Sequence, residues 1–268
     1  MVASGSFSEI LTRACVIVAI VTAVAGSTGS IAGRAAQLAA PRTASRRARR
    51  STRFVIPGRA QELIVVSGAT DDPPAPGYLA TLRTFERANA RSPWRPVFAA
   101  WPAETGSGHL LAAALRHEGD HATPVGVFAI GPTMYGDQPN PGGLHYAYHQ
   151  LVCGDWWDED PFSPQYNRFV HAPCGVTPAF AAWSEPLWTE TIAYPSFAVI
   201  QFNVNPIVGG SHAPGSGIFL HSWVGGATDG CVALPDPRLL EVLRWLRPSA
   251  HAVIEIGVNA QVSPGLPS

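Results

Sequence analysis

Lysine is absent from this 268-residue chain: all 18 of its basic residues are arginine. Seven of them precede position 51, so residues 53–268 hold 11 Arg against 18 acidic residues, a balance of −7. An acidic region behind a basic stretch excludes the cationic footprint of a nucleic-acid binder. Long apolar runs are equally scarce. The longest, Ala14 to Ala25, is too short to span a bilayer comfortably, and no second candidate span follows it. Internal repeats are missing too, and apolar residues at helical spacing are confined to one convincing segment, which excludes a helical bundle.

What the N-terminus does contain is Arg13, then the apolar stretch ending in Ala23-Val24-Ala25, which fits the small-x-small cleavage rule. Residues 1–25 therefore read as a signal peptide, with a short uncleaved anchor as the alternative. Cys15 lacks the small residues that precede a lipoprotein cysteine. Residues 26–52 are rich in Gly, Ser, Ala and Arg, including Arg46-Arg47-Ala48-Arg49-Arg50, and read as a disordered linker. The folded region, 53–268, is of a size that suits one domain. Its expected location is outside the cytoplasmic membrane, secreted or wall-associated.

Of the four cysteines, three remain once the signal is removed, an odd count that leaves one thiol free. Cys153 and Cys174 bracket a loop rich in Pro, Asp and aromatics; a disulfide there would be worth ~3 kcal/mol in the chain-entropy model. That pairing leaves Cys231 unpaired.

Short extended runs broken by Gly and Pro predict a mostly β domain. The candidate strands are Glu62 to Ser67, Tyr78 to Arg87, Arg95 to Ala100, Val125 to Ile130, Phe197 to Val204, Gly217 to His221 and Val253 to Gly257. One helix is expected, opened by Pro235 and Asp236, carried by Leu239, Leu240, Leu243 and Leu246, and stopped by Pro248.

Cys231 sits in the small-residue turn Thr228-Asp229-Gly230-Cys231, ten residues after His221, which ends an apolar run. An imidazole that takes the thiol proton leaves a nucleophilic thiolate, so the pair points to acyl transfer. The alternative reading is a small buried hydrophobe. With the helix expected to begin just after Cys231, its N-terminus would favour a thiolate and then an oxyanion. The N–H groups of the turn Asp229, Gly230 and Cys231 are candidate oxyanion donors. Thr228, Ser222 and His212 are candidates to line the cleft. His145 and His149 have i, i+4 spacing, but the segment reads as extended, so no metal site is expected. Asp155, Asp158, Glu159 and Asp160 read as a solvated acidic loop, and Trp156 and Trp157 as core or lid packing.

Four groups of residues occur in an order that resembles the L,D-transpeptidase catalytic domain family, the YkuD-like fold, and its secreted branch ending in Gly-Cys-Val-Ala-Leu. They are Glu118-Gly119-Asp120 with Thr123-Pro124-Val125-Gly126; Trp156-Trp157 with Tyr166-Asn167; Phe202-Asn203 with Gly215-Ser216-Gly217 and His221; and Thr228-Asp229-Gly230-Cys231. The resemblance implies a mostly β fold, a YkuD-like β-sandwich or mixed sheet, with one clear helix after the catalytic cysteine. It implies Cys231 as nucleophile, His221 as base, and transfer of an acyl group from a peptidoglycan stem peptide through a thioester to an amine. No cofactor or metal is called for, and a monomer is expected. An L,D-carboxypeptidase with water as acceptor and a non-catalytic peptidoglycan-binding domain are the alternatives. Two departures stand out: many members carry Ser-His-Gly-Cys and then Arg two residues on, where this chain has Thr228-Asp229-Gly230-Cys231 and Ala233, and the spacing from His221 to Cys231 is shorter than in the better-known members.

Overall fold

The computed structural model describes residues 54–68, 77–258 and 266. The expected signal peptide and linker, residues 1–52, lie outside the described residues. Within them the chain forms β1 (Glu62–Gly68), β2 (Leu79–Glu86), β3 (Arg95–Pro96), β4 (Trp101–Glu104), β5 (Leu110–Ala112), β6 (Thr123–Gly136) and β7 (Ala147–Gln150). It continues through β8 (Asp155–Asp158), β9 (Arg168–His171), β10 (Glu185–Pro186), β11 (Phe197–Ile200), β12 (Phe219–Ser222) and β13 (Val232–Leu234), then helix α1 (Asp236–Trp245) and β14 (Val253–Val258). The fold is mostly β, as expected. No described helix is long and apolar enough to cross a membrane.

The main sheet runs β1-β14-β6-β11-β12-β13-β4-β2, and β2 pairs back onto β1, so the mixed sheet closes on itself as a barrel. Alternation supplies the filling: Ile64 and Val66, Ile254 and Ile256, and Leu220 with Val232 and Leu234 belong to one buried cluster. Helix α1 adds Leu239, Val242 and Leu243 to it, an i, i+3, i+4 stripe that faces the barrel wall, and its C-cap Leu246 joins them. Fully burying side chains of this size contributes roughly 1.5–3 kcal/mol each.

A second, three-stranded sheet, β10-β8-β9, stands outside the barrel. The expected disulfide is present: Cys153 and Cys174 are bonded, their Cα atoms 5.2 Å apart, closing the base of the β8–β9 hairpin. Trp157 anchors the lobe, its ring 5.0 Å from that of Phe219 on β12, in a core shared with Leu187, Tyr194, Phe197 and Cys231. Trp157 is thus core, as its sequence setting suggested.

Three expectations need correction. The helix opens at Pro235 and Asp236 as expected, but it does not abut Cys231: β13 intervenes, because Val232-Ala233-Leu234 are drawn into the ladder between β12 and β4. Strand limits also moved: β11 stops at Ile200, since Asn203 takes a left-handed φ of 51°, and Gly217, φ 59°, holds back the start of β12. Finally, the acidic loop is not uniformly solvated. Asp155 and Asp158 are fully buried, and hydrogen bonds replace their water. Asp155 accepts from Val152 N–H at 2.8 Å and faces His149 at 2.8 Å and His171 at 2.7 Å; Asp158 accepts from Asp160 N–H at 3.0 Å and from the Ser163 hydroxyl.

Candidate active site

The turn before β13 is built from hydroxyls and one obligatory glycine. Thr228 Oγ1 donates to the Cys231 carbonyl at 2.8 Å and accepts the Gly230 N–H at 3.2 Å, closing the turn on itself. Gly230 has φ 125°, and a Cβ there would lie 2.8 Å from the Ala122 carbonyl oxygen. No other residue fits without moving that backbone. Thr123 Oγ1, which accepts the Gly106 N–H at 2.7 Å, also reaches the Cys231 carbonyl at 3.4 Å. The cysteine is therefore held from both sides.

Cys231 and His221 come together on one face. In the parallel ladder His221 pairs with Ala233, and Cys231 lies two residues before Ala233, so the two side chains are diagonal neighbours. Both line one cleft of about 510 Å³. His221 Nδ1 is 2.7 Å from the Ser222 carbonyl oxygen, which can only accept; Nδ1 therefore carries the proton and Nε2 holds the lone pair. Burial lowers the imidazole to about 4, against the opposing Ser222 bond, so at neutral pH it is an uncharged acceptor. The thiol accepts the Phe219 N–H and donates to the Gly217 carbonyl, both at 3.3 Å. Burial pushes it well above its usual range, and the carboxylates of Glu185, Glu159 and Asp229 push the same way against the Phe219 bond. The resting pair is thus a neutral thiol beside a neutral imidazole.

The other expected residues separate. Thr228 and Asp229 line the cleft with Cys231, whereas His212 is an exposed residue of a short 3-10 turn bonded to Ser211, and Ser222 is buried; neither is in the lining. Asp229 reaches out to pair with His121 at 3.0 Å. The Gly230 N–H is engaged by Thr228 in the resting turn. His149 spends its Nε2 on Asp155.

Residues without an expected role complete the walls. Glu118 accepts the Ser216 hydroxyl at 2.8 Å and that of Tyr166, joining three separate segments at the cleft. Asn167 is the lobe's clamp: its Oδ1 accepts from Trp157 Nε1 at 3.0 Å and Gly217 N at 3.1 Å, and its Nδ2 donates to the carbonyls of Phe202 and Asn203. Tyr194 stands edge-on to His221, ring centres 5.6 Å apart, and donates its hydroxyl to Glu185 at 2.7 Å. The motifs Glu118, Tyr166-Asn167 and Ser216-Gly217 were legible in sequence, but only as a pattern. Glu185 and Tyr194 left no local signal, since their roles arise from packing across the lobe.

A family model described as YkuD, L,D-transpeptidase catalytic domain, matches residues 81–256. No curated protein and no solved structure shows a significant match.

Proposed function

Since the chain belongs to the L,D-transpeptidase catalytic domain family, we propose that it transfers an acyl group from a peptidoglycan stem peptide through a Cys231 thioester to an amine, cross-linking or remodelling the wall. The observation that carries this reading is the diagonal placement of Cys231 and His221 in one cleft, with Nδ1 tied to Ser222 and Nε2 left to accept a proton.

Because both groups are neutral at rest, proton transfer from Sγ to Nε2 accompanies attack on the substrate carbonyl. The Asp229–Cys231 turn supplies the oxyanion donors, with the Gly230 N–H leaving its 3.2 Å bond to Thr228 as negative charge develops. Collapse breaks the C–N bond, the imidazolium returns its proton to the departing D-amino acid, and a thioester remains. The acceptor amine then attacks that thioester and restores the thiol. The disulfide suits an oxidising compartment, consistent with action outside the cytoplasmic membrane.

Incubation of the purified protein with a disaccharide tetrapeptide tests the proposal. The expected products are a free D-amino acid and a cross-linked dimer one D-amino acid lighter than two monomers. Release without dimer would identify a carboxypeptidase, and sedimentation with insoluble peptidoglycan without either product would identify a binding domain.

A further inference from the structure

A second groove of this acidic domain has no acid in its walls. It measures about 620 Å³, runs along β6 and the start of β14, and is lined by Val127, Phe128, Ile130 and Val253. Its cationic and imidazole groups are Arg59 and His251, both exposed, and neither side chain has a hydrogen-bond or ion-pair partner among the described residues. His251 closes the 3-10 turn Pro248–Ala250 at a left-handed φ of 47°, where a glycine would cost less, so an imidazole is kept at this corner against backbone preference. Glu62, whose charge reaches Tyr146 in the wall, is fully buried and answered by Arg247 at 2.7 and 2.8 Å.

The chain enters the fold at this groove. Pro57 and Arg59 line it, and Val55, just before them, is 87% exposed. The sequence leading there is basic without exception: residues 26–61 hold eight arginines and no acidic residue, whereas residues 62–268 hold nine arginines against 18 acids. Arg53 is six residues from Arg59, so the backbone alone keeps it within roughly 20 Å of the groove. Positive charge is therefore concentrated beside apolar surface in a domain that is negative elsewhere. That combination matches a bilayer surface, where guanidinium groups meet phosphates and apolar side chains enter the acyl boundary. A soluble polyanion would answer the arginines but leave Val55 and the groove in water.

We propose that the groove bearing Arg59 and His251, with the arginine-rich sequence that precedes it, docks the domain on an anionic phospholipid surface. Arg59 and the arginines before it take the phosphodiester headgroups, the His251 imidazole offers a further N–H, and Val55 with the groove wall takes the apolar layer beneath. The inference is independent of the chemistry proposed for Cys231, whose cleft has none of these residues in its lining.

Vesicle flotation of the full-length protein tests this, with vesicles of phosphatidylcholine alone and of phosphatidylcholine mixed with phosphatidylglycerol. The apolar stretch Ala14 to Ala25 can enter either bilayer, so the ratio of the two affinities is the readout. We expect the mixed vesicles to bind about 100-fold more tightly at about 0.1 M salt, as several arginines at ~1 kcal/mol each permit, with the ratio falling towards one at about 1 M. Arg59→Gln combined with His251→Gln should lower the ratio about 5-fold or more, and Val55→Asp at least as far, while Arg168→Gln, exposed on β9, leaves it unchanged. Soluble polyphosphate at matched phosphate concentration should bind more weakly than the mixed vesicles and be indifferent to Val55→Ser, which weakens vesicle binding. Equal affinity for the two vesicles overturns the proposal. So does a ratio untouched by the groove variants, which assigns the preference to the basic sequence alone, or polyphosphate binding as tight as vesicle binding, which identifies a soluble polyanion as the partner.

Discussion

Glu185→Gln should make the protein more stable at pH 8 and leave it unchanged at pH 4.5. Burial raises this carboxyl from its ordinary 4.5 to about 7, against the stabilising Tyr194 bond and with Glu190 and Asp229 adding to the rise. Because the folded value lies above the unfolded one, ionisation opposes folding: the cost is absent below about pH 4.5, grows as pH rises, and is complete above about 7. At 1.36 kcal/mol per pH unit the gap corresponds to ~3 kcal/mol, an upper figure because the side chain lines an open cleft where solvent screens part of the charge. Glutamine keeps an oxygen to accept the Tyr194 hydroxyl at its 2.7 Å position, so the substitution removes charge and little else. For a domain of this size the gain translates to a rise in Tm of roughly 6–12 °C at most. His221 works in the opposite direction, its depressed value making the fold lose stability as pH falls from about 6.5 towards about 4, so the comparison is made against wild type at each pH. Thermal melts of both proteins across pH 4–9 read the result. An equal rise at pH 4.5 and pH 8, or none at pH 8, would refute the electrostatic account.

Cys231→Ala should abolish the covalent adduct that a carbapenem forms with the wild-type protein, read by intact mass, since no other free thiol occurs among the described residues. His221→Ala should slow that acylation by roughly 10²–10⁴-fold, the range for a lost positioned base, whereas His212→Ala, exposed and outside the cleft, should leave it near the wild-type rate; the reverse order would reassign the base. Replacing Cys153 and Cys174 together by Ser should cost ~3 kcal/mol in denaturant melts and leave Cys231 labelling intact. Ala233→Arg should lower stability by about 1–3 kcal/mol through overpacking, because Ala233 is fully buried, and should not raise the acylation rate.

The parts of the fold that sequence made legible were those with a strong local signal. Leu239, Leu243 and Leu246 marked α1, Pro248 marked its end, and short extended runs between turn residues marked β1, β2 and β14. The odd cysteine count marked the disulfide and the free thiol. What escaped were elements created by tertiary pairing. β13 is three residues long and is a strand only because β12 and β4 flank it, so the turn–helix device expected at Cys231 became a turn–strand device. Nothing local distinguishes Val232-Ala233-Leu234 from the approach to a helix. Barrel closure rests on β1 pairing with both β2 and β14, a long-range contact that no periodicity encodes.

The site shows the same division, and it changes the meaning of the two departures from the family ending. In sequence, Asp229 in place of His and Ala233 in place of Arg look like losses of positive charge from a decaying site. In the structure Ala233 stands between His221 on β12 and the buried Glu104 on β4, sharing a face with both, and its methyl group leaves that row closely packed. Glu104 is served by the Gly226 N–H at 3.1 Å rather than by an arginine. A decaying site would be free to relax, yet Gly217 and Gly230 keep positive φ angles at positions where a Cβ would strike Glu159 and Ala122, and His221 keeps the tautomer that leaves Nε2 open. Geometry is retained while the ending shifts charge in one direction, with Asp229 and Ala233 each standing where many members carry a basic residue. Such a site keeps the arrangement that thiol acylation needs, and the residues in which it departs from the family ending are not the Cys231–His221 pair itself.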